Sequence, residues 1–280
     1  MHQNGRVDIF ESTIFMRNSA VEDGGGVYIH DYGHVSFCGN TTFTNNSAEN
    51  GGCIFAEKGA LNLEKSNNKF LKCLARANGG AIRISGIRVD LSGHNVFDGN
   101  TATGFGGGLY AIYSSLYLTG ENTFSANAAR RGGAIYAPVS RVNISGSYVL
   151  SANVAQLDGG GIYADGSNVE FSGNVTIRCN SAKLGGGICS DNNTWNIGGR
   201  SIIEANVASY YGGGIYTRRT TMILTGNSTF FANSAGEGGG IYATANSTLD
   251  FNEVNIFKAN RAHISGGGVW LDYSYLSLNG

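Results

Sequence analysis

Ten times along this chain a pair of glycines is followed by a small residue and then an aliphatic one, at intervals of 26 to 28 residues. The pairs begin at Gly24, Gly51, Gly79, Gly106, Gly132, Gly159, Gly185, Gly212, Gly238 and Gly266. The aliphatic that follows is Val27, Ile54, Ile82, Leu109, Ile135, Ile162, Ile188, Ile215, Ile241 or Val269. A period of this size marks a chain made by stacking one small unit on copies of itself. Upstream of each pair stands a second block: a large apolar residue, two variable ones, Asn, one variable, then Ala. Phe15-x-x-Asn18-x-Ala20 is the first copy and Phe257-x-x-Asn260-x-Ala262 the last; Cys73 stands where the one missing Asn would be. A third block is a short alternating strand, as in Val35-x-Phe37, Leu116-x-Leu118, Val169-x-Phe171 and Leu276-x-Leu278.

Each repeat therefore offers three short strands joined by tight corners, and no segment has the length or period of a helix. Leucine-rich repeats have a similar length but need a leucine frame that is absent. Propeller blades need antiparallel hairpins and about 40 residues or more. The expectation is an all-β fold: a right-handed parallel β-helix, a three-sided solenoid of about ten coils of ~27 residues. Equivalent strands of neighbouring coils then lie ~4.8 Å apart.

The blocks acquire roles in such a coil. The aliphatic after each glycine pair points inward and its neighbour outward. The Phe of the second block stacks on its equivalents above and below. The Asn at the next corner bonds backbone groups and tolerates left-handed geometry, so its repetition predicts an internal amide ladder. The glycine pair suits a corner that needs positive φ or close backbone approach. Residues 1–280 are read as one β-helical repeat domain. The chain opens and stops within third-block strands, Val7-x-Ile9 and Leu276-x-Leu278, so a longer parent protein is expected.

Composition agrees. Glycine is abundant at 44 residues and proline is single, which argues against a disordered or collagen-like chain. The formal net charge is −1 with no basic run, so nucleic acid is not an expected partner. No stretch approaches the ~20 apolar residues of a transmembrane segment. The opening Met1-His2-Gln3-Asn4-Gly5-Arg6 lacks the basic and apolar blocks of a signal peptide.

The first two blocks resemble the repeats of the polymorphic outer membrane proteins, surface autotransporters of chlamydiae marked by Gly-Gly-Ala-Ile and Phe-x-x-Asn. Gly-Gly-Ala-Ile is literal at Gly79–Ile82 and Gly132–Ile135, and Phe-x-x-Asn at Phe15, Phe43, Phe97, Phe124, Phe230 and Phe257. The resemblance implies a β-helical passenger domain, exposed on the cell surface or associated with the outer membrane, and used in adhesion. The family's signal peptide and C-terminal membrane barrel are not in this sequence.

Enzymatic chemistry finds little support in the pattern. Glycoside hydrolysis needs two carboxylates ~5 to 9.5 Å apart. Outward Asp90, Glu170 and Asp250 of the third strand recur three coils apart, at ~14 Å, too far to share one bond. Short corners predict a flat surface without the concavity of a small-molecule site. His30 and His34 read as exposed turn residues, with no metal and no cofactor expected. Cys53, Cys73 and Cys189 replace Gly, Asn and Tyr of the pattern and read as small-residue substitutions. With Cys38 and Cys179 the count is odd, which leaves at least one thiol unpaired. Asn-x-Ser/Thr sequons begin at Asn40, Asn45, Asn143, Asn174, Asn192, Asn227 and Asn246.

One feature exceeds this frame. Directly after the inward aliphatic come Tyr28, Phe55, Arg83, Tyr110, Tyr136, Tyr163, Cys189, Tyr216, Tyr242 and Trp270. Alternation places them outward in one column, beside a bare shelf of Gly, Ala or Cys at the preceding position. Tyr28, Phe55, Tyr110, Tyr136, Tyr163, Tyr216, Tyr242 and Trp270 are the candidate ligand-binding residues, a platform for a glycan or a cell-surface protein. The competing role is a stacking ladder that steadies parallel strands. The functional expectation is a non-catalytic surface or secreted scaffold for adhesion or binding. The alternative is a β-helical polysaccharide lyase or glycoside hydrolase, which a cleft holding two acids would favour.

Overall fold

A computed structural model describes residues 5–63 and 67–279. Met1 to Asn4, part of the opening segment read against a signal peptide, lie outside the described residues. One coil shows the plan. Leu109–Ile112 forms the first strand, Ser115–Leu118 the second, Glu121–Ser125 the third and Ala128–Arg131 a fourth, after which Gly132 begins the next coil. Repetition stacks these strands into four sheets with 10, 11, 10 and 9 strands among the described residues. They are called here the tyrosine, alternating, phenylalanine and alanine sheets. Pairing is parallel and joins each strand to its equivalent one coil away, as in Leu109↔Ile135, Leu116↔Val142 and Phe97↔Phe124. The chain is thus an all-β parallel solenoid of about ten turns with ~27 residues per turn.

The alanine sheet was not expected. The Asn-x-Ala block reads as a corner, yet Ala75↔Ala102 and Ala129↔Ala155 pair in parallel like the other strands. Small residues there let the chain pass close to its copy, and the sheet carries register irregularities just beyond the alanines. Each coil therefore has four strands where the periodicity suggests three.

Inside, the phenylalanine column stacks as expected. Ring centroids are 4.7 Å apart for Phe15–Phe43, 5.1 Å for Phe43–Phe70, 4.6 Å for Phe70–Phe97 and 4.3 Å for Phe97–Phe124. Leu150, Ile177 and Ile203 continue it, and Phe230–Phe257 closes it at 4.5 Å. Beside the rings runs the amide ladder. Asn127 Oδ1 accepts from both the backbone N–H (3.0 Å) and the side-chain Nδ2 (2.9 Å) of Asn100. Its own Nδ2 donates to the Phe97 carbonyl at 2.9 Å and to Asn153 Oδ1 at 3.0 Å. The same pattern repeats through Asn153, Asn180, Asn206 and Asn233, all buried. The left-handed residue falls one place earlier than expected, on the residue before the Asn: Ala126, Ala152, Cys179 and Ala205 have φ of 52°, 55°, 55° and 51°. An L-residue in that region costs ~1–2 kcal/mol, which the Asn bonds at the same corner offset.

The opposite corner holds a second ladder that periodicity does not announce, in which Ser114 N donates to Ser140 Oγ and Ser140 N to Ser167 Oγ. The glycine pair divides its labour. Gly106 has φ +65°, whereas a Cβ on Gly107 would sit 2.3 Å from the Gly133 carbonyl oxygen. The third position of this block faces inward, not outward as read from the sequence: a Cβ on Gly187 would lie 3.3 Å from Asn206 Cγ. Cys53 and Cys73 occupy these two facing positions and form a disulfide with Cα atoms 5.8 Å apart, while Cys38, Cys179 and Cys189 are free. The two substitutions are therefore one feature, a covalent rung where the amide ladder lacks an Asn.

Two outcomes follow. Asn127→Ala should lower unfolding free energy in urea by about 2–5 kcal/mol, because it orphans a buried backbone donor and a buried carbonyl; a change under about 1 kcal/mol would contradict this role. Thiol titration of unfolded, unreduced protein should find three of the five cysteines reactive; five would exclude the bond.

Candidate functional site

The column after the inward aliphatic lies on the outer face of the tyrosine sheet, apart from the main core cluster. Its rings stack face to face along the solenoid: Tyr28–Phe55 at 5.4 Å, Tyr110–Tyr136 at 5.3 Å, Tyr136–Tyr163 at 5.0 Å, Tyr216–Tyr242 at 5.6 Å and Tyr242–Trp270 at 6.4 Å. Where Arg83 interrupts the series its guanidinium takes a ring's place, 4.8 Å from the Phe55 centroid and 5.5 Å from that of Tyr110.

The neighbourhood of the column differs from the bare shelf expected. At three coils the residue preceding the glycine pair leans over the ring of the following coil. Phe105 stacks on Tyr136 at 4.7 Å, Arg131 lies 5.6 Å from the Tyr163 centroid, and Tyr211 stacks on Tyr242 at 4.6 Å. The column is consequently half covered. Phe55, Tyr110, Tyr163 and Tyr242 are buried, Tyr136, Tyr216 and Trp270 are half-buried, and only Tyr28, at 53 %, is well exposed. Burial pushes the phenol pKa up to about 12 at Tyr136 and Tyr216, and raises that of Tyr163 as well. Most ring faces are consumed by other rings, so the column combines the stacking role with an outward edge.

Nor is the surface flat. At Cys189, where a thiol stands in place of a ring, a cleft of about 510 Å³ opens between Tyr163 and Tyr216. Its walls are charged. Asp158 pairs with Arg131 at 2.8 Å. Asp191 accepts from Arg218 Nε at 3.1 Å and from Arg219 Nη2 at 2.9 Å, with its side chain only 9 % exposed. Asp165 stands in register with Asp191 on the adjacent coil and enters no side-chain hydrogen bond or ion pair among the described residues. Burial raises the Asp158 carboxyl against the opposing pull of Arg131. Burial, then the Asp191 charge, raises that of Asp165. For Asp191 burial alone would act upward, but the hydrogen bonds and charges of Arg218 and Arg219 together outweigh it and hold the group below the ordinary carboxylate range. Burial also pushes the Cys189 thiol well up, so it is neutral and a poor nucleophile.

Within a single repeat none of Asp158, Asp165, Asp191, Arg131, Arg218 or Arg219 stands out. Aligning coils residue by residue would have gathered them, since Arg131↔Asp158, Asp165↔Asp191 and Asp191↔Arg218 are register partners. Other candidates remain apart. Asp90, Glu170 and Asp250 occupy one row at three-coil intervals, through Tyr117, Asn143, Asn196 and Ile223. His30 contacts Glu57 at 2.9 Å and Asp31 at 3.0 Å, and His34 contacts Ser36 Oγ at 3.0 Å. Of the sequon asparagines, Asn143 is half-buried and the other six are exposed. No helix among the described residues is long and apolar enough to cross a membrane.

Residues 96–112 match the Chlamydia polymorphic membrane protein repeat. The matched stretch holds the second block, Phe97 and Asn100, and the glycine block, Gly106–Leu109, and it agrees with a β-helix repeat protein. No curated protein and no solved structure matches the chain.

The opposite pKa shifts give opposite stability effects. Asp191, depressed when folded, contributes stability that is present above the ordinary carboxylate pKa and lost as pH falls through the folded value. Asp191→Asn should therefore cost about 1–3 kcal/mol at pH 7 and progressively less in acid. Asp165, raised when folded, opposes folding at neutral pH and ceases to as pH falls through its raised pKa. Asp165→Asn should be neutral to stabilising by up to about 1 kcal/mol at pH 7, with the gain vanishing on acidification. Thermal unfolding from pH 3 to 8 checks both; a loss of stability in Asp165→Asn would contradict the unpaired assignment.

Proposed function

We infer that this chain is a non-catalytic, right-handed β-helical scaffold of a cell surface, whose tyrosine column and its cleft bind a glycan or a surface protein. The carrying observation is the repetition itself. Ten coils in parallel register build a face roughly 45–50 Å long whose rows are fixed by backbone pairing. Such a face holds side chains in line without long loops, which suits adhesion and display. The match to the polymorphic membrane protein repeat supports a surface or outer-membrane-associated location. The Cys53–Cys73 bond suits an oxidising compartment outside the cytoplasm.

A second reading has one observation in its favour. Asp165 and Asp191 sit on adjacent coils of one cleft with pKa values displaced in opposite directions, the pattern of an acid and a carboxylate base in glycoside hydrolysis. Against it, both oxygens of Asp191 are engaged by Arg218 and Arg219, which leaves a weak nucleophile or base.

Binding of the purified protein to cultured epithelial cells and to an immobilised glycan panel distinguishes these. The scaffold reading predicts saturable binding that is lost when Tyr136, Tyr163 and Tyr216 are together changed to Ala, with circular dichroism showing that the β-fold persists. It also predicts no release of reducing ends or unsaturated products from neutral or acidic polysaccharides. Undiminished binding by the triple variant contradicts the column's role, and product release that depends on Asp165 establishes the enzyme instead.

A further inference from the structure

A stacked column offers few places for a ligand, because each ring spends its faces on its neighbours. Along this column the series of rings breaks twice. At Arg83 the break is filled from within by a guanidinium between Phe55 and Tyr110. At Cys189 no ring takes that place among the described residues. The thiol is short and forms the floor, and Tyr163 and Tyr216 stand one coil to either side of it. Two coil steps put their planes roughly 10 Å apart, the distance that elsewhere in the column holds one intervening ring. The opening is thus a vacant rung with the thickness of a single six-membered ring.

The walls say what kind of ring. Three carboxylates, Asp158, Asp165 and Asp191, face three guanidiniums, Arg131, Arg218 and Arg219. The charges balance, so no net charge is demanded of a ligand. The walls offer both donors and acceptors, and the Asp165 carboxylate is unspent among the described residues. An aromatic side chain of a partner would match the flanking rings but would bury these charged groups against a rim without hydrogen bonds, at a cost. A pyranose with equatorial hydroxyls has C–H faces for Tyr163 and Tyr216 and a rim of hydroxyls that both donate and accept.

We propose that the vacant rung at Cys189 is a binding slot for a neutral pyranose residue of a glycan chain, stacked between Tyr163 and Tyr216 with its hydroxyls on Asp165 and the Arg218–Asp191 pair. The proposal rests on the reading of the column as a binding face and narrows it to one coil. Sugar hydroxyls donate to the Asp165 carboxylate and accept from the Arg218 guanidinium. The adjoining rungs contribute only edges. The slot lies on the outer face of the sheet, so the rest of a longer glycan can extend away from it into solvent.

The repeat supplies its own test. Cys189→Tyr restores the residue that most coils carry at this position, so it completes the column and closes the slot without disturbing the core. Lactose and cellobiose serve as probes, followed by saturation-transfer NMR on the full chain at tens of millimolar. Wild type and Cys189→Ser should bind alike, Cys189→Tyr should lose binding, and Asp165→Asn should weaken it by about tenfold. Failure of wild type to bind either sugar overturns the proposal, as does binding that persists in Cys189→Tyr. If binding persists there but is lost in the Tyr136, Tyr163, Tyr216 triple Ala variant, the column reading survives and the slot does not. If it persists in the triple variant as well, both fall. Preferential binding of arginine methyl ester over the sugars, blocked by Cys189→Tyr, would overturn the pyranose assignment in favour of a guanidinium like that of Arg83.

Discussion

The contact on which the molecule depends is the one between an asparagine and the coil beneath it. Backbone pairing between parallel strands is tolerant of sliding, because every residue offers the same donor and acceptor. The buried Asn ladder is not. Asn127 reaches one particular N–H, on Asn100, and one particular carbonyl, on Phe97. Slipping by a residue would strand polar groups in an apolar interior. Register is thereby locked at one corner of each coil, and the phenylalanine, serine and tyrosine rows inherit it. The Cys53–Cys73 bond performs the same locking covalently where the ladder has no Asn.

Once coils are locked, any residue recurs in a straight row, and rows of like residues are satisfied by stacking. That makes the repeating positions structurally useful and chemically self-occupied. Chemistry is then expected at the exceptions. Arg83 and Cys189 depart from the aromatic column, and Cys53 and Cys73 from the glycine and amide rows. Each departure has an identifiable consequence: a guanidinium between rings, an open charged cleft, a disulfide. The cleft also carries a stability cost, since Asp158 and Asp165 are desolvated acids held above their ordinary pKa.

Much of this was legible in the sequence. Period, strand positions, inward phenylalanines and the amide ladder all follow from residue type and spacing, because each is a property of one repeat. The alanine sheet was hidden, since two-residue strands of small residues look like a corner. Simple alternation puts the third residue of the glycine block on the outer face, and it fails because the corner places Cys53 and Ile54 both inward. The disulfide escaped for the same reason: Cys53 and Cys73 face each other only once that face is known. The cleft is invisible in any one repeat because its six charged residues come from three rows beside the column, and no single repeat contains more than a few of them. Relations between coils, not within them, are what a linear reading loses.

Amide hydrogen exchange, resolved by residue, tests the locking ladder most directly. If the asparagines hold the coils in register, the backbone N–H groups of Asn100, Asn127, Asn153, Asn180 and Asn206 should be protected to a similar, near-global degree, well above exposed corner amides such as that of Tyr113. Exchange at those five positions as fast as at the corners would contradict the account.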